Sequence, residues 1–423
     1  MHPVSARALA YFDDLFPEEP FEDSASMQHP ALFLDAVRHY TAFGTRTIEH
    51  IDGKIPYLVN EFWTSGQRQA HSIHEVSYRA CFKPQLPEFF ISRLTSEGEG
   101  VHDPFMGRGT TPVQASLMRR VPSATDINPL SVLLTRPRLT PPTLEDVAHR
   151  LATIPWDKQI ETRADLLAFY HPETLRELTI LREWLLENAP LAMTDPDPVT
   201  DWIRMAAINR LTGHSPGFFS VYTLPPNQAV SVDSQLKINA KRDQIPPRRN
   251  LAALILKKSR SLFSDGRPPI AAKSVLATQL ASSSPAIPTG SAALVVTSPP
   301  FLDIVQYADD NWLRCWFAGI DLSSVPIAMH KTEASWTKMV RDTLSEQARI
   351  VRPGGHVAFE VGEVRGGKVL LERLVWQAAE GLPFERMAVI VNQQEFTKTA
   401  NCWGVNNNKG GTNTNRIVML RRI

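Results

Sequence analysis

The sequence predicts an α/β fold: a mostly parallel sheet ending in an antiparallel hairpin at its C-terminal edge, with a largely helical insert. Three observations predict it. An apolar, partly β-branched run, Ala292-Ala293-Leu294-Val295-Val296, is closed by Thr297 and the turn Ser298-Pro299-Pro300-Phe301, and reads as a buried strand delivering that turn to its carboxyl end. A glycine-rich turn, His102-Asp103-Pro104-Phe105-Met106-Gly107-Arg108-Gly109-Thr110-Thr111, leads into Pro112–Met118, a helix with Pro in its first turn. After the second of these turns, strand-like and helix-like segments alternate, the pattern of a layered α/β sheet.

Taken in order, residues 1–73 hold a helical-looking start (Ser5 to Phe16), an acidic stretch and an aromatic region, Tyr57 to Trp63. No role is assigned to this segment; a cover over the rest of the fold and an oligomer contact are both open. Residues 74–139 read as helix, strand, glycine turn, helix and a second strand ending near Ala124-Thr125-Asp126-Ile127-Asn128-Pro129. Residues 140–269 are mostly helical, with apolar residues at helical spacing over Leu166–Leu186 and Asp201–Leu211. A Pro-containing aromatic loop, Gly213 to Ser231, follows. A third strand is expected near Ile270–Leu276. Residues 270–423 then supply strands at Ala293–Val296, His356–Val361, Met387–Val391 and Arg416–Leu420, with helices at Asp303–Phe317, Trp336–Ile350 and Lys368–Gly381. Asn406 to Gly411 is a polar loop.

The two turns carry the chemistry. Two consecutive prolines fix two φ angles and remove two donors while their carbonyls remain acceptors. A serine hydroxyl, a free carbonyl and a flat ring on so stiff a turn suit the holding of an exocyclic amino group on an aromatic base. Pro-Pro pairs in a chain with 33 prolines are mostly loop punctuation, and this one differs in closing a strand. In the first turn the glycines permit close backbone approach, and a Gly-rich turn before a helix N-terminus is a general cofactor cradle. An acid about 20 residues past such a turn can take ribose hydroxyls, an offset that Asp126 meets.

With these motifs the chain resembles the S-adenosylmethionine-dependent DNA amino methyltransferases, most closely the N4-cytosine enzymes. Their cofactor loop has the form Asp-Pro-Phe-x-Gly-x-Gly-Thr-Thr and their catalytic loop is Thr-Ser-Pro-Pro followed by Tyr or Phe. Upstream, Phe82-Lys83-Pro84-Gln85-Leu86-Pro87 and Phe90-Ile91-Ser92-Arg93-Leu94 are similar to the family's segment before the cofactor loop. The resemblance implies a Rossmann-like class I methyltransferase sheet, with residues 74–139 and 270–423 as catalytic domain and 140–269 as target-recognition insert. It implies S-adenosylmethionine held by Phe82, Lys83, Asp103, Phe105, Gly107, Gly109, Thr110 and Asp126. It makes Ser298, Pro299, Pro300 and Phe301 catalytic: the Ser298 hydroxyl and the Pro299 carbonyl accept the amino hydrogens while Phe301 stacks on the base. The target is a flipped cytosine in double-stranded DNA, since a stacked base is out of reach. A partner restriction endonuclease is implied where the enzyme is one member of a restriction–modification system.

Three departures from the family pattern stand beside this. The cofactor loop precedes the catalytic loop with the insert between, an order more familiar among adenine enzymes. The third strand lacks the acid that reads the cofactor's adenine, offering Lys273, Ser274 and Thr278. Phe301 replaces the commoner Tyr. An N6-adenine DNA (or RNA) enzyme is therefore the alternative, and an inactive cofactor-binding recognition subunit a third reading.

Composition sets the outer limits. The 423 residues, 43% of them hydrophobic, are enough for two or three domains with a sizeable core. No apolar run approaches a membrane span. Asp13, Asp14, Glu18, Glu19 and Glu22 face Arg7 alone among the charges of the first 22 residues, unlike a secretory or mitochondrial leader. Cys81, Cys315 and Cys402 are too scattered for a disulfide framework or zinc site, so a reducing, cytoplasmic setting is expected. None follows a proline, which argues against carbon-5 cytosine chemistry. The net charge is only +1, yet Lys237, Lys241, Arg242, Arg248, Arg249, Lys257, Lys258 and Arg260 form a basic block relieved only by Asp243. Clustered cations of this kind are needed to neutralise phosphates; Lys237, Lys241, Arg242, Arg248 and Arg249 are the candidate DNA contacts.

Overall fold

The computed structural model describes residues 30–64, 70–78, 81–223, 229–302, 307–326, 330–364, 368–393 and 414–423. The expected helix at Ser5–Phe16, Cys402 and the loop 406–411 lie outside these residues.

The centre is a nine-stranded sheet in the order β1-β2-β10-β11-β7-β6-β3-β4-β5. Its strands are β1 (Ile48–Asp52), β2 (Ile55–Asn60), β3 (Gly100–Asp103), β4 (Val121–Asp126), β5 (Val275–Thr278), β6 (Ala292–Thr297), β7 (Val351–Val361), β10 (Phe384–Gln393) and β11 (Thr414–Arg422); β8 (Glu363–Val364) and β9 (Val369–Leu370) form a separate ribbon. From β5 to β7 neighbouring strands are parallel, and β11 runs antiparallel to both β7 and β10. The α/β class and the antiparallel C-terminal hairpin thus match expectation. The hairpin is not at the edge, however: β2 pairs in parallel with β10, and β1 covers β2. The cause is the unassigned N-terminal segment, whose Tyr57-Leu58-Val59 run supplies the ladder that β10 would otherwise expose. Asn392 locks it, its Oδ1 accepting from the backbone N–H of Phe62 at 2.7 Å.

Alternation of side chains explains why the inner strands are apolar throughout. Val295, Val357, Phe359, Val389 and Val418 enter one core, while Leu294, Val296, Ala358, Ile390 and Ile417 enter the other. A sheet covered on both faces needs both sets. On the first face lie α11 (Glu333–Ile350) and α12 (Leu371–Ala378); on the second lie α1 (Pro30–Arg38) and α2 (Gln85–Leu94).

The remaining helices are α3 (Thr110–Leu117), α4 (Pro129–Leu139), α5 (Leu144–Ala152), α6 (Pro172–Asn188), α7 (Pro198–Ile208), α8 (Val232–Arg242), α9 (Leu251–Leu262) and α10 (Tyr307–Ala318). The single helix expected over Leu166–Leu186 is broken into a short 3-10 turn, Ala164–Ala168, and α6. Pro172 restarts the chain as a helix, with His171 accepting from Glu173 N as its cap. The helices of residues 140–269 share one core with α4 and α10: Leu130, Leu133 and Leu134 of α4 cluster with Trp202, Ile203, Ile255, Leu313 and Phe317. A two-pronged ion pair, Arg136 Nε to Asp201 Oδ2 at 2.7 Å and Nη2 to Oδ1 at 3.0 Å, ties α4 to α7. The third strand begins at Val275, later than expected, and still ends without an acid. Among the described residues, no helix is long and apolar enough to cross a membrane.

Candidate active site

The sheet reverses its winding between β3 and β6, and ligand sites of open α/β sheets form outside the strand ends at such a point. Here a cavity of about 150 Å³ is bounded by the loops after β3, β4, β5 and β6. Phe105, Met106, Gly107 and Thr110 come from the glycine loop, Asp126, Ile127 and Asn128 from the end of β4, and Leu280, Ala281 and Ser282 from beyond β5. Ser298 and Pro300 come from the Pro-Pro turn, Tyr78, Cys81 and Phe82 from the segment before α2, and His330 and Met339 from the far side. The two motifs, almost 200 residues apart in the chain, therefore face one space (Asp103 and Thr297, at their bases, are separated by 194 residues).

Each loop is held from beneath. Asp103 is 1% exposed. Its Oδ1 accepts from Thr297 Oγ1 at 2.6 Å and from Phe105 N at 3.1 Å, so one carboxyl clamps the base of both motifs. Burial pushes its pKa up to about 7. Asp103 thus supports the loops without lining the cavity. Asp126 lines it, but its carboxylate also braces the loop, accepting from Gly107 N and Asn128 N, each at 2.9 Å. Burial raises its pKa too, against these bonds.

The two glycines differ. Gly107 has φ +50°, and a side-chain carbon there would stay 3.7 Å from Tyr78. Gly109 has φ +79°, and such a carbon would meet Thr135 Oγ1 at 2.3 Å. Gly109 is thus required by the packing of α3 on α4 and does not reach the cavity. Thr110 opens α3 and takes Arg108 Nε at 3.2 Å. Arg108 also donates to the carbonyls of Val76 at 3.1 Å and Phe82 at 3.4 Å, which fixes Phe82 at the rim. Lys83 points elsewhere and lines a neighbouring cleft.

At the Pro-Pro turn, Ser298 is half-buried and Pro299 buried. Trp336 Nε1 donates to the Pro300 carbonyl at 2.9 Å, anchoring the turn to α11. The Phe301 ring packs against Gly362, where a side-chain carbon would come within 2.9 Å of it, and joins the core under α11 rather than the cavity wall. Behind the turn stands Glu360, at the end of β7. It is 5% exposed, accepts from Asn415 Nδ2 at 3.0 Å and lies beside Ser298, whose hydroxyl tempers its pKa. Burial raises its pKa. Register explains the meeting: Thr297 pairs with Phe359, so the next residues, Ser298 and Glu360, emerge side by side.

Several further side chains lie outside the site. Trp312 donates to the Ala229 carbonyl at 3.2 Å and packs edge-on to Phe169; Phe317 is core. Cys315 is buried, its thiol pushed up to about 12. Of the basic block, Lys237, Lys241 and Arg242 are exposed on α8, with Arg242 stacked over Tyr222 at 3.8 Å. Arg248 pairs with Glu177 at 3.8 Å, and the backbone N–H of Arg249 donates to Thr174 Oγ1 at 2.8 Å.

No family model matches the chain. Its similarity to a known sequence is local. Over 72 residues it is 39% identical to the Type II methyltransferase M.MjaII of Methanocaldococcus jannaschii, a match spanning 17% of this chain and 13% of that protein. Among solved structures, a putative DNA modification methylase from Thermus thermophilus, complexed with S-adenosyl-L-methionine, is 21% identical with a TM-score of 0.20, covering 32% of this chain and 49% of that one. The rRNA methyltransferase aviRa of Streptomyces viridochromogenes is 11% identical with a TM-score of 0.30, covering 83% and 89%. A geranyl diphosphate methyltransferase in complex with sinefungin is 8% identical with a TM-score of 0.33, covering 81% and 78%. At TM-scores this low, the likenesses bear on neither substrate nor reaction.

Proposed function

We propose that this chain is an S-adenosylmethionine-dependent methyltransferase acting on the exocyclic amino group of a base in DNA, with the N4 amino group of a flipped cytosine as target. The observation that carries the reading is the shared cavity: the Gly loop with Asp126 and the Ser298–Pro300 turn face each other across it. The residues present fit the cofactor. Gly107, with φ +50°, presents backbone without a side chain at the cavity wall, Asp126 sets a carboxylate on that wall for a ribose, and Phe82, Phe105, Ile127 and Leu280 offer apolar surface for an adenine. When bound, S-adenosylmethionine supplies an already activated methyl sulfonium. The protein's task is then largely to position two reactants.

A cytosine amino nitrogen is a poor nucleophile because its lone pair is delocalised into the ring. With Glu360 beside it to take its proton, the Ser298 hydroxyl is free to turn its lone pairs toward the cavity as acceptors for an amino hydrogen. Holding that hydrogen out of the base plane frees the lone pair to attack. Once the nitrogen has gained its methyl group it carries positive charge and becomes acidic. The excess proton passes to Ser298 Oγ as the serine's own proton passes to Glu360, leaving a neutral amine and a protonated glutamic acid. A carboxylate whose pKa is raised by burial is suited to that receipt. Trp336 keeps the turn in place throughout by holding the Pro300 carbonyl.

The motif order favours a second target, the N6 amino group of adenine, on the same machinery. One experiment tests both: incubate purified protein with labelled S-adenosylmethionine and unmethylated DNA, digest to nucleosides and identify the product by mass spectrometry. N4-methylcytosine supports the first reading and N6-methyladenine the second. Label in RNA alone, or bound cofactor without product, overturns both.

A further inference from the structure

Beside the cavity, sharing Tyr78 and Cys81 with it, opens a larger cleft of about 710 Å³. Its cations come from separate parts of the chain. Lys83 precedes α2, Arg108 lies on the glycine loop, Arg210 follows α7, and Lys257 and Lys258 lie on α9. Glu75 is the one carboxylate lining it among the described residues. That acid pairs with Lys258, at 3.7 Å, so a single negative charge faces five positive ones. Lys257 is exposed, and Lys258 is 6% exposed.

The excess charge is felt locally. Arg108 helps burial lower the pKa of Lys83, and Arg210 helps burial bring Lys258 down to about 8. The Nδ1 atom of His74, which also lines the cleft, is buried with no hydrogen-bond partner. A walled trough of mutually repelling cations is relieved by a polyanion, and its size far exceeds the amino-acid tail of a cofactor held next door.

We propose that this cleft carries the phosphodiester backbone of the DNA whose base enters the neighbouring cavity, with Lys83, Arg210, Lys257 and Lys258 as the phosphate-neutralising cations. The proposal rests on the DNA reading above. It moves the backbone contact away from α8, since Lys237, Lys241 and Arg242 line neither the cavity nor the cleft.

The test is binding of a labelled mixed-sequence DNA duplex to the full chain, followed by anisotropy between about 50 and 200 mM salt. Lys257→Ala should lower the slope of log affinity against log salt by about one, and Lys257→Ala with Lys258→Ala by about two. The double variant should weaken binding about tenfold, equally for unrelated sequences. Affinity for S-adenosylmethionine should not change, and Lys237→Ala with Lys241→Ala should leave the slope alone. Lys257→Glu, at an exposed position, gives the same readout should the double variant misfold. Wild-type-like slopes in the Lys257 variants, with tight binding by the native protein, overturn the cleft while leaving the methyltransferase reading standing. Lost cofactor affinity with intact DNA binding also overturns it, assigning the cleft to the cofactor. Native protein that binds RNA and no DNA overturns both.

Discussion

A hydroxyl has two faces to offer, and in the proposed mechanism the donating face of Ser298 is turned to Glu360. Replacing Ser298 by Ala removes the acceptor without touching the cofactor side of the cavity. Turnover should fall on the order of a hundredfold or more while S-adenosylmethionine affinity, measured by titration, stays near native. Glu360→Gln keeps an oxygen for the serine but cannot take the proton. The native enzyme should lose kcat as pH falls through the raised pKa of Glu360, because the carboxylate must be ionised to receive a proton. In Glu360→Gln that acidic limb should be absent and the plateau lower, as a pH–rate profile would show. Asp103 has a different signature. Its folded pKa of about 7 lies above its ordinary 3.8, so the folded state holds the proton more tightly. The resulting stabilisation is full below about pH 4 and is lost as pH rises through about 7. Asp103→Asn retains the oxygen that Thr297 and Phe105 address, and should flatten the decline in Tm between those values.

At the scale of elements, the fit of α3 against α4 rests on one missing side chain. Gly109→Ala brings a carbon against Thr135 at a left-handed φ. It should cost about 1–3 kcal/mol in urea unfolding. Adding Thr135→Ala should recover the steric share but not the backbone strain; full recovery would mean that φ is unimportant there. The two loops themselves were legible in the sequence because prolines and glycines act on their own backbone. Phe301 shows the limit of such reasoning: the aromatic is where the motif puts it, but its ring turns onto Gly362, a neighbour outside the motif. β5 starts later than its apolar run suggests, because Ile270 and Ala271 are apolar without being in the sheet. Ile270 is 59% exposed.

For the whole molecule, one core unites the insert helices with α4 and α10. A chain in which residues 140–269 are replaced by a short linker should expose Leu130, Leu133, Leu134, Leu313 and Phe317. It should lose its cooperative thermal transition and bind a hydrophobic dye; a sharp transition in that variant would show that the rest of the chain folds without the insert. The insert was readable as helical from its apolar spacing, but its partner surface was not, since periodicity marks a buried face without saying what buries it.

By itself the sequence determined the α/β class, the Gly loop and the Pro-Pro turn, because steric limits on φ and apolar alternation are local properties. Only the tertiary structure decided that Glu360 stands behind Ser298, that Asp103 clamps both loops, that β2 covers the C-terminal hairpin and that Lys83 shares a cleft with Lys257 and Lys258. Those depend on strand order and register, which bring together residues that no local pattern connects.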